Sequence, residues 1–253
     1  ETEWTSRLND NAGQNYRDRH GIHITDLNEL IQRFEQLTVC VVGDLIVDEY
    51  VTCEPVGMSQ EDPTLVVSPL VEDRFLGGAA IVAAHVAGLG ARVRFWSVRG
   101  NDDAGLFAAN ALERLRVDAC LVTDESRPTT VKRRYRAVGK TMLRVNRLRS
   151  HAIDQEIQAR LIGSLEPEIA RADLVIFSDF NYGCLPTPMV KALIEFARKH
   201  GAVVVAAALP MAVATAVEVE LPLRCGTTRA MAGLARQHRP PCVQRRQLQW
   251  WRK

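Results

Sequence analysis

The spacing of apolar and polar positions changes several times along the chain, and each change marks an element. Residues 1–24 have little periodicity and read as a loose arm or a short helix packed on the outside. Leu27, Leu30, Ile31, Phe34 and Leu37 then recur at helical spacing, which predicts a helix to about Gln36, capped by Asp26 with Glu29 as in a capping box. Residues 38–42 are a short continuous apolar run, as in a strand buried on both faces of a parallel sheet. The stretch Gly43-Asp44-Leu45-Ile46-Val47-Asp48 ends that strand. Ligands of open α/β sheets gather beyond the carboxyl ends of strands, so Asp44 and Asp48 are placed to bind hydroxyls or to support nearby backbone. A turn-capping aspartate is an equal reading for Asp44. In residues 49–73 the apolar groups around Tyr50, Leu65 and Leu70 are broken by Pro55, Pro63 and Pro69, the pattern of short edge strands or a small flap.

Residues 74–90, RFLGGAAIVAAHVAGLG, stand at the centre of this arrangement. A strand-like approach ends in Gly77-Gly78, and a thin, Ala-rich helix follows. A Gly pair at a helix start is either a turn before a buried helix or a place where a ligand's hydroxyls or anions meet bare N–H groups. Residues 92–98 read as the next strand, 100–105 as a turn with a helix cap, and 117–122 as a further strand. Residues 129–146 switch to alternation and predict a β-hairpin turning near Val138-Gly139-Lys140, with Lys132, Arg134 and Arg136 on one face. That face is either a solvated strand surface or a receiver for a phosphorylated ligand. Ile157, Leu161, Leu165 and Ile169 mark another helix, residues 173–177 another strand, and 178–183 a polar loop at its carboxyl end. A helix opened by Pro186 or Pro188 and a strand from Ala202 complete a doubly wound α/β layer.

Composition adds two points. No apolar run is long enough to span a membrane, and ETEWTSRLND carries no signal-type apolar region. Cys40, Cys53, Cys120, Cys184, Cys225 and Cys242 have no metal-type spacing; the first three lie in apolar runs, as buried thiols of a cytoplasmic protein do. Charge is uneven. Residues 224–253 hold eight of the 32 Lys and Arg and none of the 30 Asp and Glu, so a mildly acidic body precedes a strongly basic tail.

Several of these motifs coincide in order: VVGDLIVDEY (41–50), SQEDP (59–63), FLGGAAIVAAHVAGLGARV (75–93), NDDAG (101–105), TTVKRRYR (129–136) and LVIFSDFNYGCL (174–185). As an ordered set they resemble the ribokinase-like (PfkB) carbohydrate kinases. Within these they resemble the heptose-phosphate kinase domain of bifunctional ADP-heptose synthesis proteins. The resemblance runs from about residue 36 to 206. It implies a ribokinase-like doubly wound α/β sheet with a small β-lid, incomplete on its C-terminal side. The expected organisation is an arm over 1–24, a sugar-side domain over 25–206 with lid strands at 49–73 and 129–146, and a divergent tail over 207–253.

The resemblance also implies chemistry. Such a kinase transfers the γ-phosphoryl of ATP, with Mg²⁺, to a hydroxyl of a sugar or sugar phosphate. Asp48 would bind sugar hydroxyls, and Gly77 and Gly78 would let the sugar meet the backbone. Lys132, Arg134 and Arg144 match basic positions of the heptose-phosphate branch, and Asp179 faces the transfer site. A homodimer through the lid is the implied assembly. Ile81 stands where the family usually has Asn, and Val138-Gly139-Lys140-Thr141 where the branch has Arg-Asn-Gln-Gln.

After Ala206 the family's Asn-x-x-Glu and Asp-Thr-x-Gly-Ala-Gly-Asp segments have no counterpart. The tail's Ala-, Arg- and Pro-rich composition is that of a GC-rich gene read in the wrong frame, so a frameshifted or truncated kinase gene is expected. Loss of a positioned base costs about two to four orders of magnitude in rate. The alternative is therefore an inactive remnant or a non-enzymatic sugar-phosphate binding module. A nucleic-acid binder using the tail's Arg224, Arg229, Arg236, Arg239, Arg245 and Arg246 with Trp250 and Trp251 ranks below both, since no recognition motif frames them.

Overall fold

The computed structural model describes residues 11–208. Two short helices lead in: α1 (Asn11–His20) and α2 (Ile24–Phe34). Helix α2 starts earlier than the expected Asp26 cap. Its N-cap is His23, without a side-chain cap bond, and Asp26 lies inside the first turn, where its charge complements the helix dipole. The left-handed turn at Gly21 (φ 62°) fixes that start.

The body alternates strands and helices: β1 (Thr38–Gly43), α3 (Ala79–Gly88), β4 (Arg92–Arg99), α4 (Asp103–Arg114), β5 (Asp118–Thr123), α5 (Gln155–Ile169), β8 (Leu174–Asp179), α6 (Thr187–Lys199) and β9 (Val203–Ala208). Its strands form one parallel sheet in the order β5-β4-β1-β8-β9. Because side chains alternate along a strand, β1 feeds two cores. Val39 and Val41 pack with Phe95 and with Ala79, Ala80 and Ala83 of α3. Cys40 and Val42 face the other way, with Trp96, Phe177 and the buried stripe Ile157, Leu161, Leu165 and Ile169 of α5. The chain order reverses around β1, which puts the switch point of the sheet at Gly43-Asp44.

A second, four-stranded sheet rises from that point. It is built from β2 (Leu45–Met58), β3 (Leu65–Gly78), β6 (Thr130–Ala137) and β7 (Lys140–Arg147), in the order β3-β2-β6-β7. The sequence pattern predicted short pieces here; instead β2 and β3 are single 14-residue strands paired along their length. Two of the three prolines are absorbed without ending a strand. Pro55 adjoins a register shift and lies beyond residue 52, where pairing with β6 stops; Pro69 sits on edge strand β3 next to the shift at Thr52/Cys53. The β6–β7 hairpin turns as expected, with left-handed Val138 and Gly139 (φ 50° and 74°).

Cys40, Cys53 and Cys184 are buried free thiols, while Cys120 is only partly buried. Among the described residues no helix is long and apolar enough to cross a membrane. Strand β9 runs to Ala208, two residues past the expected boundary. The frameshift reading of the tail, its arginines and tryptophans, and Cys225 and Cys242 lie outside the described residues.

Candidate functional site

The crossing from the parallel sheet to the lid is a single residue, Asp44, and every polar group of it is used. Its N–H donates to Ser178 O at 3.1 Å, and its carbonyl accepts from Ala79 N at 2.9 Å. Its buried carboxylate accepts from the N–H groups of Phe180 (2.7 Å), Tyr182 (3.2 Å) and Cys184 (3.2 Å). Buried Ser97 closes the turn, donating to Gly43 O at 2.6 Å and accepting from Leu45 N at 3.0 Å. Of the readings open to Asp44, support of nearby backbone is the one realised. Burial pushes its carboxyl up to about 6, against the pull of the three N–H donors.

Four residues on, Asp48 points from the face of the lid opposite to Glu49. A Cβ on Gly77 would collide with Asp48 Oδ2, so the absence of a side chain at Gly77 makes room for the carboxylate. Gly78 has φ 59° and ψ −137°, a conformation that side chains disfavour, and a Cβ there would strike Asp44 O. The Gly pair therefore serves the close approach of α3 and of Asp48.

The basic residues of β6 take the expected alternation. Lys132 lies beside Asp48 in the parallel β2–β6 ladder and Arg134 beside Tyr50. Arg134 donates to Asp48 Oδ1 at 2.5 Å and stacks over the Tyr50 ring at 5.2 Å. Burial pulls the Arg134 guanidinium down, but the hydrogen bond to Asp48 and the charge of that carboxylate together hold it above its usual range. Arg144 of β7 is exposed and stands directly opposite Arg134 on the same face. The Lys132 ammonium lies 5.2 Å from the Phe180 ring centroid and 5.1 Å from that of Tyr182, so it bridges the lid to the loop after β8. Asp179, at the end of β8, accepts from Asn181 N at 2.7 Å within that loop.

Asp48, Gly77, Lys132, Arg134 and Arg144 thus share one lid face, Gly78 lies at the junction, and Asp179 adjoins Phe180. Sequence reasoning missed Tyr50, Arg127, Phe180 and Tyr182. The Phe180-x-Tyr182 spacing directly after a buried strand was the available signal for the last two. A cavity of about 340 Å³ lies elsewhere, on the Glu49 face of the lid. Its Arg74 and Arg133 are already bound to Glu49, at 3.0 and 2.6 Å, and its Arg147 to Asp102 at 3.0 Å. Among the described residues no three His, Cys, Asp or Glu side chains stand close enough to hold a metal ion by themselves.

Comparison with known proteins gives the family and the fold. The model of the pfkB family carbohydrate kinases matches residues 36–220. The bifunctional protein HldE of Bradyrhizobium diazoefficiens is 39% identical over 181 residues, covering 70% of this chain and 37% of that protein. The bifunctional protein HldE of Rhodopseudomonas palustris is 37% identical over 175 residues, covering 68% and 36%. The chain therefore spans little more than a third of the length of these relatives. A solved carbohydrate kinase from Agrobacterium tumefaciens superposes with a TM-score of 0.51 at 20% identity, covering 67% of this chain and 53% of that one. The phosphofructokinase-2 from Escherichia coli, in complex with fructose-6-phosphate, superposes with a TM-score of 0.51 at 14% identity, covering 70% and 56%. These two likenesses carry the fold, and the family match covers most of the sequence: the chain belongs to the pfkB family of carbohydrate kinases.

Proposed function

We propose that this chain provides the sugar side of a carbohydrate kinase and binds a sugar phosphate of the heptose-phosphate type. The supporting observation is the Asp48 carboxylate, seated against Gly77 beside Lys132 and Arg134 on one lid face. A carboxylate in that position accepts hydrogen bonds from sugar hydroxyls. Arg144 stands opposite the Arg134–Asp48 pair across the β6–β7 ladder and adds a cation that an anion such as a phosphate group can meet. Gly77 and Gly78 let the sugar approach the backbone, and Asp179 borders the side where transfer occurs. ATP, bound with Mg²⁺, supplies the phosphoryl group in this family. The described residues orient the acceptor hydroxyl and hold the lid over it.

The second reading is sugar-phosphate binding without turnover, for which Asp48, Lys132 and Arg134 suffice. We also propose a homodimer through the lid, supported by exposed apolar side chains such as Leu70, Val71, Phe75 and Leu143. A cytoplasmic setting accords with the buried free thiols. The test is calorimetric titration with heptose 7-phosphate and with the unphosphorylated sugar, followed by assay of ATP consumption with Mg²⁺. Binding that requires the phosphate and is lost in Asp48→Ala supports the site, and turnover then decides between the two readings. Equal binding of both sugars refutes the phosphate assignment.

A further inference from the structure

We infer that Asp44 and Arg127 are positioning residues of this site: together they fix the loop 180–184, and through the Phe180 and Tyr182 rings they fix where the Lys132 ammonium stands. The inference deepens the sugar-phosphate reading above and rests on it for the role of Lys132.

The loop does not hold this shape by itself. Two of its residues within three positions have left-handed backbone, Asn181 (φ 62°) and Gly183 (φ 86°). A non-glycine residue adopts that conformation only where surrounding contacts impose it. Gly183 is also pressed against His151 O, so a Cβ has no room there. No helix or ladder pairs the N–H groups of Phe180, Tyr182 and Cys184; they converge on one carboxylate, that of Asp44.

Arg127 holds a carbonyl of the same loop. Its guanidinium is buried and each of its three nitrogens is engaged, with Nε on Asp124 Oδ2 at 2.6 Å, Nη1 on Tyr182 O at 2.9 Å and Nη2 on His151 O at 2.7 Å. Tyr182 is therefore gripped at its N–H by an anion and at its carbonyl by a cation. These charge-assisted bonds are stronger than neutral ones, and neither side chain has a shorter homologue that reaches the same partners. The consequence for the site runs through the rings. A lysine ammonium on a four-carbon stem has many positions open to it, and two aromatic faces from one fixed loop restrict it to one.

Hydrogen exchange on the full chain, read by NMR at the three amides, tests the clamp directly. In the wild type these amides are expected to exchange as slowly as those of the β1–β8 ladder. Asp44→Ala should speed all three by about tenfold or more, the usual consequence of losing a bond to a charged group, with the ladder unchanged. The isosteric Asp44→Asn keeps one acceptor oxygen. It should spare Phe180 and Tyr182, which share Oδ2, and free Cys184, so a variant that folds poorly as Asp44→Ala leaves this selective pattern to be read. Arg127→Lys should loosen Tyr182 most. Fast exchange in the wild type, or uniform loosening of sheet and loop in the variants, overturns the inference.

Heptose 7-phosphate binding then reports on the site. Asp44→Ala, which frees the Phe180 and Tyr182 amides, should weaken it by the same factor as Phe180→Leu and should add nothing on top of Lys132→Met. Full additivity with Lys132→Met overturns the link from loop to lysine. A wild type that binds no sugar phosphate refutes the function proposed above, while the exchange pattern still decides the clamp.

Discussion

Arg134 on β6 reaches diagonally across the Tyr50 ring to bind Asp48 on the neighbouring strand, and both side chains remain about one-fifth exposed. The pair is therefore formed before any ligand arrives and still open to one. Asp48→Asn and Arg134→Met should each weaken heptose 7-phosphate binding. In a double-variant cycle on stability the two should couple by about 1–2 kcal/mol, as expected for a charge-assisted bond in a partly exposed setting. Urea unfolding of the four proteins measures this; additive effects would mean that the two residues act independently.

The two glycines should fail differently. Gly77→Ala pushes a methyl group into Asp48 Oδ2, the end of a side chain and not backbone. Its expected effect is a loss of ligand affinity with a stability loss no larger than that of Asp48→Asn. Gly78→Ala meets the Asp44 backbone and a left-handed φ at once, and the backbone alone costs about 1–3 kcal/mol. Thermal unfolding beside calorimetric titration separates the two outcomes.

Asp44 should leave a signature in the pH dependence of stability. Burial raises its carboxyl from 3.8 to about 6, so the folded protein binds this proton more tightly than the unfolded chain does. The resulting contribution is fully present below about pH 3.8 and is lost as pH rises through about 6. The stability of the wild type relative to Asp44→Asn should therefore fall between pH 4 and pH 7, by about 3 kcal/mol at most. Denaturant titrations across that range provide the measurement; a difference that rises with pH would contradict the assignment.

On the other lid face Glu49 is buried and takes a guanidinium on each carboxylate oxygen, Arg74 from β3 and Arg133 from β6. It stitches three adjacent strands, and its bond to Arg133 helps hold that guanidinium well above its usual range. Glu49→Ala strands two partly buried arginines, and about 3 kcal/mol of destabilisation is expected from breaking such a network. The loss should concentrate in the lid, so limited proteolysis is expected to cut first within β2, β3 or their turn while the parallel sheet stays intact. Replacing Glu49, Arg74 and Arg133 together with apolar residues of similar volume should recover much of that stability.

Much of this fold was legible in the sequence because its signals are local. The run 38–42 has to be buried on both faces, and β1 is; the stripe of α5 repeats every four residues and all four of its members are buried. The alternation of Lys132, Arg134 and Arg136 was enough to put them on one face, and Asp154 and Asp102 cap the helices they precede, accepting from Ile157 N and Gly105 N. Asp26 failed as a cap because the turn at Gly21 started the helix sooner. The long lid strands were missed because proline is a poor strand residue by composition, whereas its cost depends on whether a neighbour needs its N–H, and that depends on pairing.

The amino-acid order by itself determined the elements of the parallel layer, the two-sided burial of its strands, the basic face of the hairpin and, through its ordered motifs, the family. Each of those rests on periodicity or on residues close together in the chain. Only the tertiary structure decided which Asp serves the backbone and which faces the lid, and that Arg134 answers Asp48 from 86 residues away. It alone brought Phe180 and Tyr182 of the β8 loop onto Lys132 of the lid. The physical reason is that a carboxylate, a guanidinium and a ring carry no mark of their partner in sequence; the partner is chosen by the register of the strands and the turn at Asp44.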